Sequence, residues 1–166
     1  MPNAGLTKAG YVQTILDAVS EFESSKENSG RLHTRLILSV DRRNTLSEAY
    51  EVLDLARQFR GKGVVGLDLC GDPARGGIEA LGEVFEKAKT EMPGLGLTLH
   101  FAEAEASGTD EELLMLLGWK PDRIGHVIHL SERVREEVKR RGGMGLELCL
   151  SCNVHAGMIT GTFGDQ

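Results

Sequence analysis

The sequence lacks the features that mark membrane, secreted and nucleic-acid-binding proteins. It has no run of about eighteen apolar residues, and its start has neither the basic end nor the apolar stretch of a signal peptide. Nineteen Lys and Arg are scattered among twenty-five Asp and Glu, giving a formal charge of −6, so no concentrated basic surface is predicted. We therefore expect a cytoplasmic protein without nucleic-acid or membrane partners.

Cysteine is scarce: the three residues are Cys70, Cys149 and Cys152. An odd count without a secretory signal favours reduced thiols over a disulfide framework. Cys149 and Cys152 form a C-x-x-C pair, but the pair spans the end of a predicted strand at residues 146–151, where residues three apart point to opposite faces. A redox site or a cysteine-ligated metal site is therefore disfavoured.

Strand and helix patterns alternate along the chain. Short apolar runs closed by polar or glycine residues predict five strands, at residues 32–40, 64–70, 96–102, 123–129 and 146–151. Apolar residues at helical spacing predict five helices, at residues 12–22, 45–60, 78–88, 110–118 and 131–141. The alternation predicts an α/β fold built from a parallel (β/α) repeat with right-handed crossovers.

Five strands fit two architectures. A flavodoxin-like sheet would be complete at this length, whereas a (β/α)₈ barrel needs eight strands and about 250 residues. The first helix has no strand before it, and the glycine-rich residues 153–166 offer no helix to cover the last strand. Because an exposed face of a parallel sheet is unfavourable, we expect a single, incomplete domain over residues 1–166.

Polar residues lie where the predicted strands end. They are Asp41, Asp68 with Gly71 and Asp72, His100 with Glu103, His126, and Asn153. Both architectures place ligands at the carboxyl ends of parallel strands. The sequence therefore predicts a functional site at this edge of the sheet.

Four segments at these strand ends resemble, in the same order, the motifs of the adenosine deaminase superfamily. They are residues 64–73 (VVGLDLCGDP), 97–103 (LTLHFAE), 122–126 (DRIGH) and 146–154 (LELCLSCNV). Residues 35–43 (RLILSVDRR), with residues 11–19 before them, resemble the branch that deaminates N6-methyl-AMP. The resemblance covers residues 11–166 and implies a partial TIM barrel of about five strands.

The resemblance also implies a zinc-dependent hydrolase of nucleotide metabolism that converts N6-methyl-AMP to IMP and methylamine. In it, His100 corresponds to a ligand of the single zinc ion, Glu103 to the acid that protonates the purine ring as water attacks C6, and His126 to the histidine beside that water. Gly71 corresponds to the glycine whose N–H meets N3 of the purine, and Asp41 to a residue at the substrate end of the nucleotide pocket.

Two arginines follow Asp41, and their role is open at this point. Arg42 or Arg43 could pair with the phosphate of a nucleotide, or both could lie in a solvated loop. The implied partner is a small purine nucleotide, and members of the family are often monomeric.

The sequence departs from the family pattern in ways that affect the expected activity. Val127 stands where the family usually has glycine, and Cys152 where it usually has serine. The family holds zinc with an H-x-H pair, a further histidine and an aspartate, but the 166 residues contain no H-x-H. His100 alone should not retain zinc, so we expect a fragment that is inactive by itself. The alternatives are an adenosine deaminase, and a metal-free nucleotide-binding or truncated isoform.

Overall fold

A computed structural model of the chain describes residues 5–159. Within them, five parallel strands form one sheet in the order β1-β2-β3-β4-β5. The strands are β1 (Leu36–Asp41), β2 (Val64–Cys70), β3 (Gly96–Phe101), β4 (Arg123–His126) and β5 (Gly145–Glu147). A flavodoxin-like sheet would place a strand between its sequence neighbours. The sequential order therefore excludes the flavodoxin-like sheet and confirms the predicted α/β fold, a partial TIM barrel of five strands.

The described residues contain the five predicted helices, the first of which precedes β1, and a sixth helix after β5 that was not predicted. They are α1 (Lys8–Ser24), α2 (Leu46–Phe59), α3 (Gly82–Glu91), α4 (Asp110–Gly118), α5 (Glu132–Arg141) and α6 (Leu150–His155). Thr45, Thr109 and Ser131 cap α2, α4 and α5, because each side-chain oxygen accepts a backbone N–H of the first turn. No helix within residues 5–159 is long and apolar enough to cross a membrane.

The two faces of the sheet differ in polarity because successive side chains of a strand point to opposite sides. One face is apolar and packs against the helices; its fully buried strand residues include Val40, Leu67, Leu69, Leu97 and Leu99. The other face is polar, with Ser39, Asp68 and Thr98 aligned across β1, β2 and β3. Burial of the first face drives folding, which leaves the polar face available for chemistry.

The end of the chain corrects one prediction. The predicted strand at residues 146–151 is wrong beyond residue 147, since β5 ends at Glu147 and α6 begins at Leu150. A short apolar run does not distinguish a strand from a helix by periodicity. The C-x-x-C pair therefore does not lie on a strand, and the predicted opposite orientation of its two cysteines is wrong, because Cys149 is the N-cap of α6 and Cys152 lies in its first turn.

The predicted loop over residues 153–166 is corrected in part. Its first three residues belong to α6, while residues 160–166 lie outside the described part of the chain. All three cysteines are free.

The close packing of β2 against β3 can be tested by adding a side chain where the two strands meet. A Cβ added at Gly66 would lie 2.9 Å from the backbone oxygen of Gly96 on the neighbouring strand. We expect Gly66→Ala to lower the free energy of unfolding by about 1–3 kcal/mol, because the backbone must shift to admit the methyl group. Urea denaturation measures the loss. The control is Gly61→Ala, whose added Cβ meets nothing within 4 Å; equal midpoints for both variants would contradict the strand packing.

Candidate active site at the carboxyl edge of the sheet

His100 lies near the end of β3 and is held by a carboxylate from β2. Its Nδ1 lies 3.1 Å from Oδ1 of Asp68, whose Oδ2 accepts a hydrogen bond from the Ser39 hydroxyl at 3.3 Å. The hydrogen bond to Asp68 is the main reason that the pKa of His100 is raised, because the carboxylate stabilises the protonated ring. With Nδ1 facing Asp68, Nε2 of His100 is the ring nitrogen turned away from β2.

His126 and Glu103 meet beside His100. The His126 ring centroid lies 5.4 Å from that of His100, and its Nε2 lies 3.7 Å from Oε1 of Glu103. Both side chains are well shielded, with 5% of the His126 side chain and 18% of the Glu103 side chain exposed. The opposite ring nitrogen of His126, Nδ1, lies 2.7 Å from Oδ1 of Asn153 on α6.

The backbone leaves the strand conformation at His126. By register His126 pairs with Phe101, which is fully buried on the apolar face, so a regular strand would direct both side chains there. Instead His126 and Val127 have φ of +68° and +60°. This left-handed turn ends β4 three residues before the predicted end at residue 129. Val127 holds a conformation that glycine adopts more readily, at the position where the family usually has glycine.

Asp41 and Gly71 form a second group, at the ends of β1 and β2. Gly71 has φ of +105°, and a Cβ there would lie 2.5 Å from Oδ1 of Asp41. Arg43 binds both oxygens of this carboxylate, with Nε–Oδ1 at 2.8 Å and Nη2–Oδ2 at 2.6 Å. The bond to Arg43 lowers the pKa of Asp41 to about 2, so Asp41 is an anion fixed against the loop after β2.

The neighbouring arginine has a different environment. Only 2% of the Arg42 side chain is exposed; its Nη2 lies 2.8 Å from Glu112 on α4 and its Nη1 donates to the Arg75 carbonyl at 3.1 Å. A buried ion pair with satisfied donors fits a structural role. Of the two arginines, Arg43 is the exposed one, with 62% of its side chain accessible.

The five predicted site residues thus fall into two contacting groups, His100 with Glu103 and His126, and Asp41 with Gly71. Asp68 and Asn153 were predicted to lie at this edge but were given no role. Each holds one of the two histidines across 32 and 27 residues of sequence, respectively. Contacts over such separations depend on strand register and on the turn before α6, and no local sequence signal reports either.

The resemblance implies a zinc ion, and the described residues meet only part of its requirements. A metal-binding histidine usually donates its second ring nitrogen to a carboxylate, as Nδ1 of His100 does to Asp68. A catalytic zinc ion, however, takes three protein ligands. Residues 5–159 contain no group of three or more His, Cys, Asp or Glu side chains that could hold a metal ion. His100 therefore fits as one ligand, but these residues do not form a zinc site by themselves.

Fold and site together define a segment of a (β/α) barrel that carries two histidines and a glutamate at the carboxyl ends of its strands. The sequence model of the adenosine deaminase family matches residues 1–162. The chain belongs to the adenosine deaminase family.

Individual relatives agree with this assignment. N6-Methyl-AMP deaminase-L of Xenopus laevis is 37% identical over 155 residues, which are 91% of this chain and 43% of the relative. The crystal structure of arabidopsis N6-mAMP deaminase superposes with a TM-score of 0.84 at 29% identity, covering 97% of this chain and 47% of that one. The structure of arabidopsis ADAL complexed with IMP gives 0.83 at 30% identity, covering 96% and 46%. The chain thus spans less than half the length of these relatives.

The contact between Asp68 and His100 predicts the titration of His100. We expect Asp68→Asn to lower the pKa of His100, because the variant removes the anion that stabilises the protonated ring. NMR titration of the histidine ring resonances measures the shift. Asp41→Asn serves as the control, since Asp41 is bound by Arg43 and should leave the pKa of His100 unchanged.

The same contact predicts a change in stability with pH. Because the folded pKa of His100 is raised, its contribution to stability is present below the unfolded pKa of about 6.5 and is lost as the pH rises through the folded value. In Asp68→Asn, the free energy of unfolding should therefore fall less as the pH rises through this range. An unchanged His100 pKa in Asp68→Asn would show that the carboxylate does not control the ring.

Proposed function

We propose that this chain contributes part of the active site of a zinc-dependent purine aminohydrolase that converts N6-methyl-AMP and water to IMP and methylamine. The observation that carries the proposal is the shielded cluster of His100, Glu103 and His126 at the ends of adjacent strands. The similarity to N6-methyl-AMP deaminases supports the substrate class, and the likeness to a structure complexed with IMP supports a nucleotide ligand.

Two side chains are proposed to handle protons. Glu103 donates a proton to the ring nitrogen of the purine while water attacks C6, and Nε2 of His126 accepts a proton from that water. The support is geometric: Nε2 and the Glu103 carboxylate face each other at 3.7 Å, too far for a good hydrogen bond, so reacting atoms can approach both groups. His126 then gives its proton to the methylamine nitrogen as the bond from C6 breaks, the hydroxyl proton passes to Glu103, and the oxygen of water remains as the carbonyl oxygen of IMP.

The second group is proposed to hold the rest of the nucleotide. The N–H of Gly71 meets N3 of the purine, because the absence of a side chain lets the ring approach the backbone. Asp41 is proposed to lie at the substrate end of the nucleotide pocket, and the exposed guanidinium of Arg43 beside it is the cation suited to a phosphate. Arg42 is buried in its pair with Glu112, with 2% of its side chain exposed, and is not proposed to contact the phosphate.

His100 is proposed as the one zinc ligand that this chain supplies. Its Nδ1 contact with Asp68 orients the ring and leaves Nε2 for the metal. The remaining ligands of such a site do not come from residues 5–159, and no step of the reaction is assigned to the metal here. The cytoplasmic location and the monomeric state remain predictions.

We expect the 166-residue chain by itself to bind zinc poorly and to release no methylamine from N6-methyl-AMP above background. A well-formed zinc site is worth on the order of 10 kcal/mol, and a lone imidazole supplies only part of it. Metal analysis of the protein purified with added zinc, together with a methylamine assay, provides the measurement. Stoichiometric zinc with turnover would show that other residues of this chain, such as His129, His155 or Cys152, complete the site.

A chimera tests the proposed roles directly. Residues 11–159 of this chain replace the matching segment of the Xenopus laevis relative, so that the relative supplies the rest of the barrel. We expect turnover of N6-methyl-AMP, and a fall of about 10²- to 10⁴-fold in kcat for Glu103→Gln, because the amide cannot act as the acid. Glu105→Gln is the matched control, since Glu105 is exposed and lies outside the cluster.

The substrates separate the alternatives. If the chimera turns over adenosine faster than N6-methyl-AMP, the substrate is the nucleoside and not the methylated nucleotide. A folded chimera that binds IMP and turns over neither compound would favour the non-catalytic, nucleotide-binding alternative. Full activity of Glu103→Gln would remove Glu103 from the mechanism.

A further inference from the structure

We propose that Asn153 is a positioning residue that fixes the neutral ring of His126 as its Nδ1–H tautomer, so that Nε2 is the unprotonated nitrogen facing Glu103. The proposal rests on the proposed function, in which Nε2 accepts a proton. Imidazole has two neutral tautomers, and the hydrogen bond at one nitrogen decides which of them is present. Only a ring with its proton on Nδ1 can accept a proton at Nε2.

The contact between the two side chains is short and buried. Oδ1 of Asn153 lies 2.7 Å from Nδ1 of His126, and the two residues are 1% and 6% exposed. An amide carbonyl oxygen only accepts hydrogen bonds, so Nδ1 must be the donor. In a buried site the other tautomer would leave the Asn153 oxygen without its donor and unable to reach water, so the bond selects the tautomer with the proton on Nδ1.

The backbone of Asn153 is held on both sides. Its N–H donates to the carbonyl of Cys149 at 2.9 Å, and its carbonyl accepts the N–H of Met158 at 2.9 Å. These bonds enclose the residue within α6 and the turn after it. The amide of Asn153 is therefore presented to the ring from a fixed backbone.

The backbone of His126 is fixed independently. The N–H of Val127 donates to the carbonyls of Phe101 and Gly125 at 2.9 and 3.0 Å, which holds the left-handed turn against β3. This turn sets where the His126 side chain begins, and the bond to Asn153 sets how its ring is rotated. Since Nε2 lies 3.7 Å from Glu103, the Asn153 bond is the shorter of the two polar contacts and decides the proton position.

The test is an NMR measurement of the His126 tautomer in the 166-residue chain. Protein with ¹⁵N-labelled histidine is studied at about pH 9, well above the ordinary histidine pKa of about 6.5, and His126 is assigned by comparison with His126→Gln. We expect wild-type His126 to show the Nδ1–H pattern, although the Nε2–H form predominates in free imidazole side chains. Asn153→Leu, of similar size and without an acceptor, should shift the ring to the Nε2–H form or to a mixture.

The control is Cys152→Ala, which changes an exposed neighbour in α6 and should leave the Nδ1–H pattern intact. A wild-type ring in the Nε2–H form, or an unchanged Nδ1–H form in folded Asn153→Leu, would overturn the proposal. If Asn153→Leu does not fold, the smaller Asn153→Ala replaces it, and the wild-type spectrum still decides. The tautomer is read without substrate, so an inactive chimera with an Nδ1–H ring would refute the proposed function alone.

Discussion

Parallel pairing of the strands in sequential order is the constraint on which the rest of this structure depends. It places every strand end at one edge, and each strand adds its last residues beside those of its neighbour. Asp68 on β2 thereby reaches His100 on β3, and His100 reaches His126 on β4. The helices pack against the apolar face of this sheet. The polar side chains of the other face are brought together as a consequence of that packing.

Local patterns predicted most of the fold and the edge of the sheet at which the candidate site residues meet. β2 and α4 have the predicted bounds, because strong apolar runs and a capping threonine mark them. The site residues could be predicted only as members of one edge, since parallel topology fixes the edge but not the contacts along it. Which side chains form hydrogen bonds with each other depends on strand register and backbone turns, so the partners of His100 and His126 could not be predicted from the sequence. The apolar run before α6 was misassigned because its periodicity fits a strand and a helix equally well.

The residues at this edge supply a hydrogen-bond partner for each histidine, but residues 5–159 do not supply a full set of metal ligands. Each histidine has its own oxygen partner, Asp68 for His100 and Asn153 for His126. A carboxylate partner stabilises a protonated ring and suits a metal-bound one, whereas an amide oxygen accepts a hydrogen bond and brings no charge to the ring. The pair is therefore differentiated before any ligand binds. A set of metal ligands is not similarly complete within residues 5–159, so this chain defines the cluster of Glu103 and His126 better than the zinc site proposed at His100.

The turn at the end of β4 connects backbone strain to this differentiation. In a regular strand, His126 would follow Phe101 onto the apolar face and would leave the cluster. The left-handed conformation at His126 and Val127 brings the ring to the polar rim, at a cost of about 1–3 kcal/mol for each strained residue. Valine gives this turn none of the freedom of glycine, so the two hydrogen bonds from Val127 N–H and the bond to Asn153 must hold it. A regular strand at this position would avoid the strain but would direct the histidine away from His100 and Glu103.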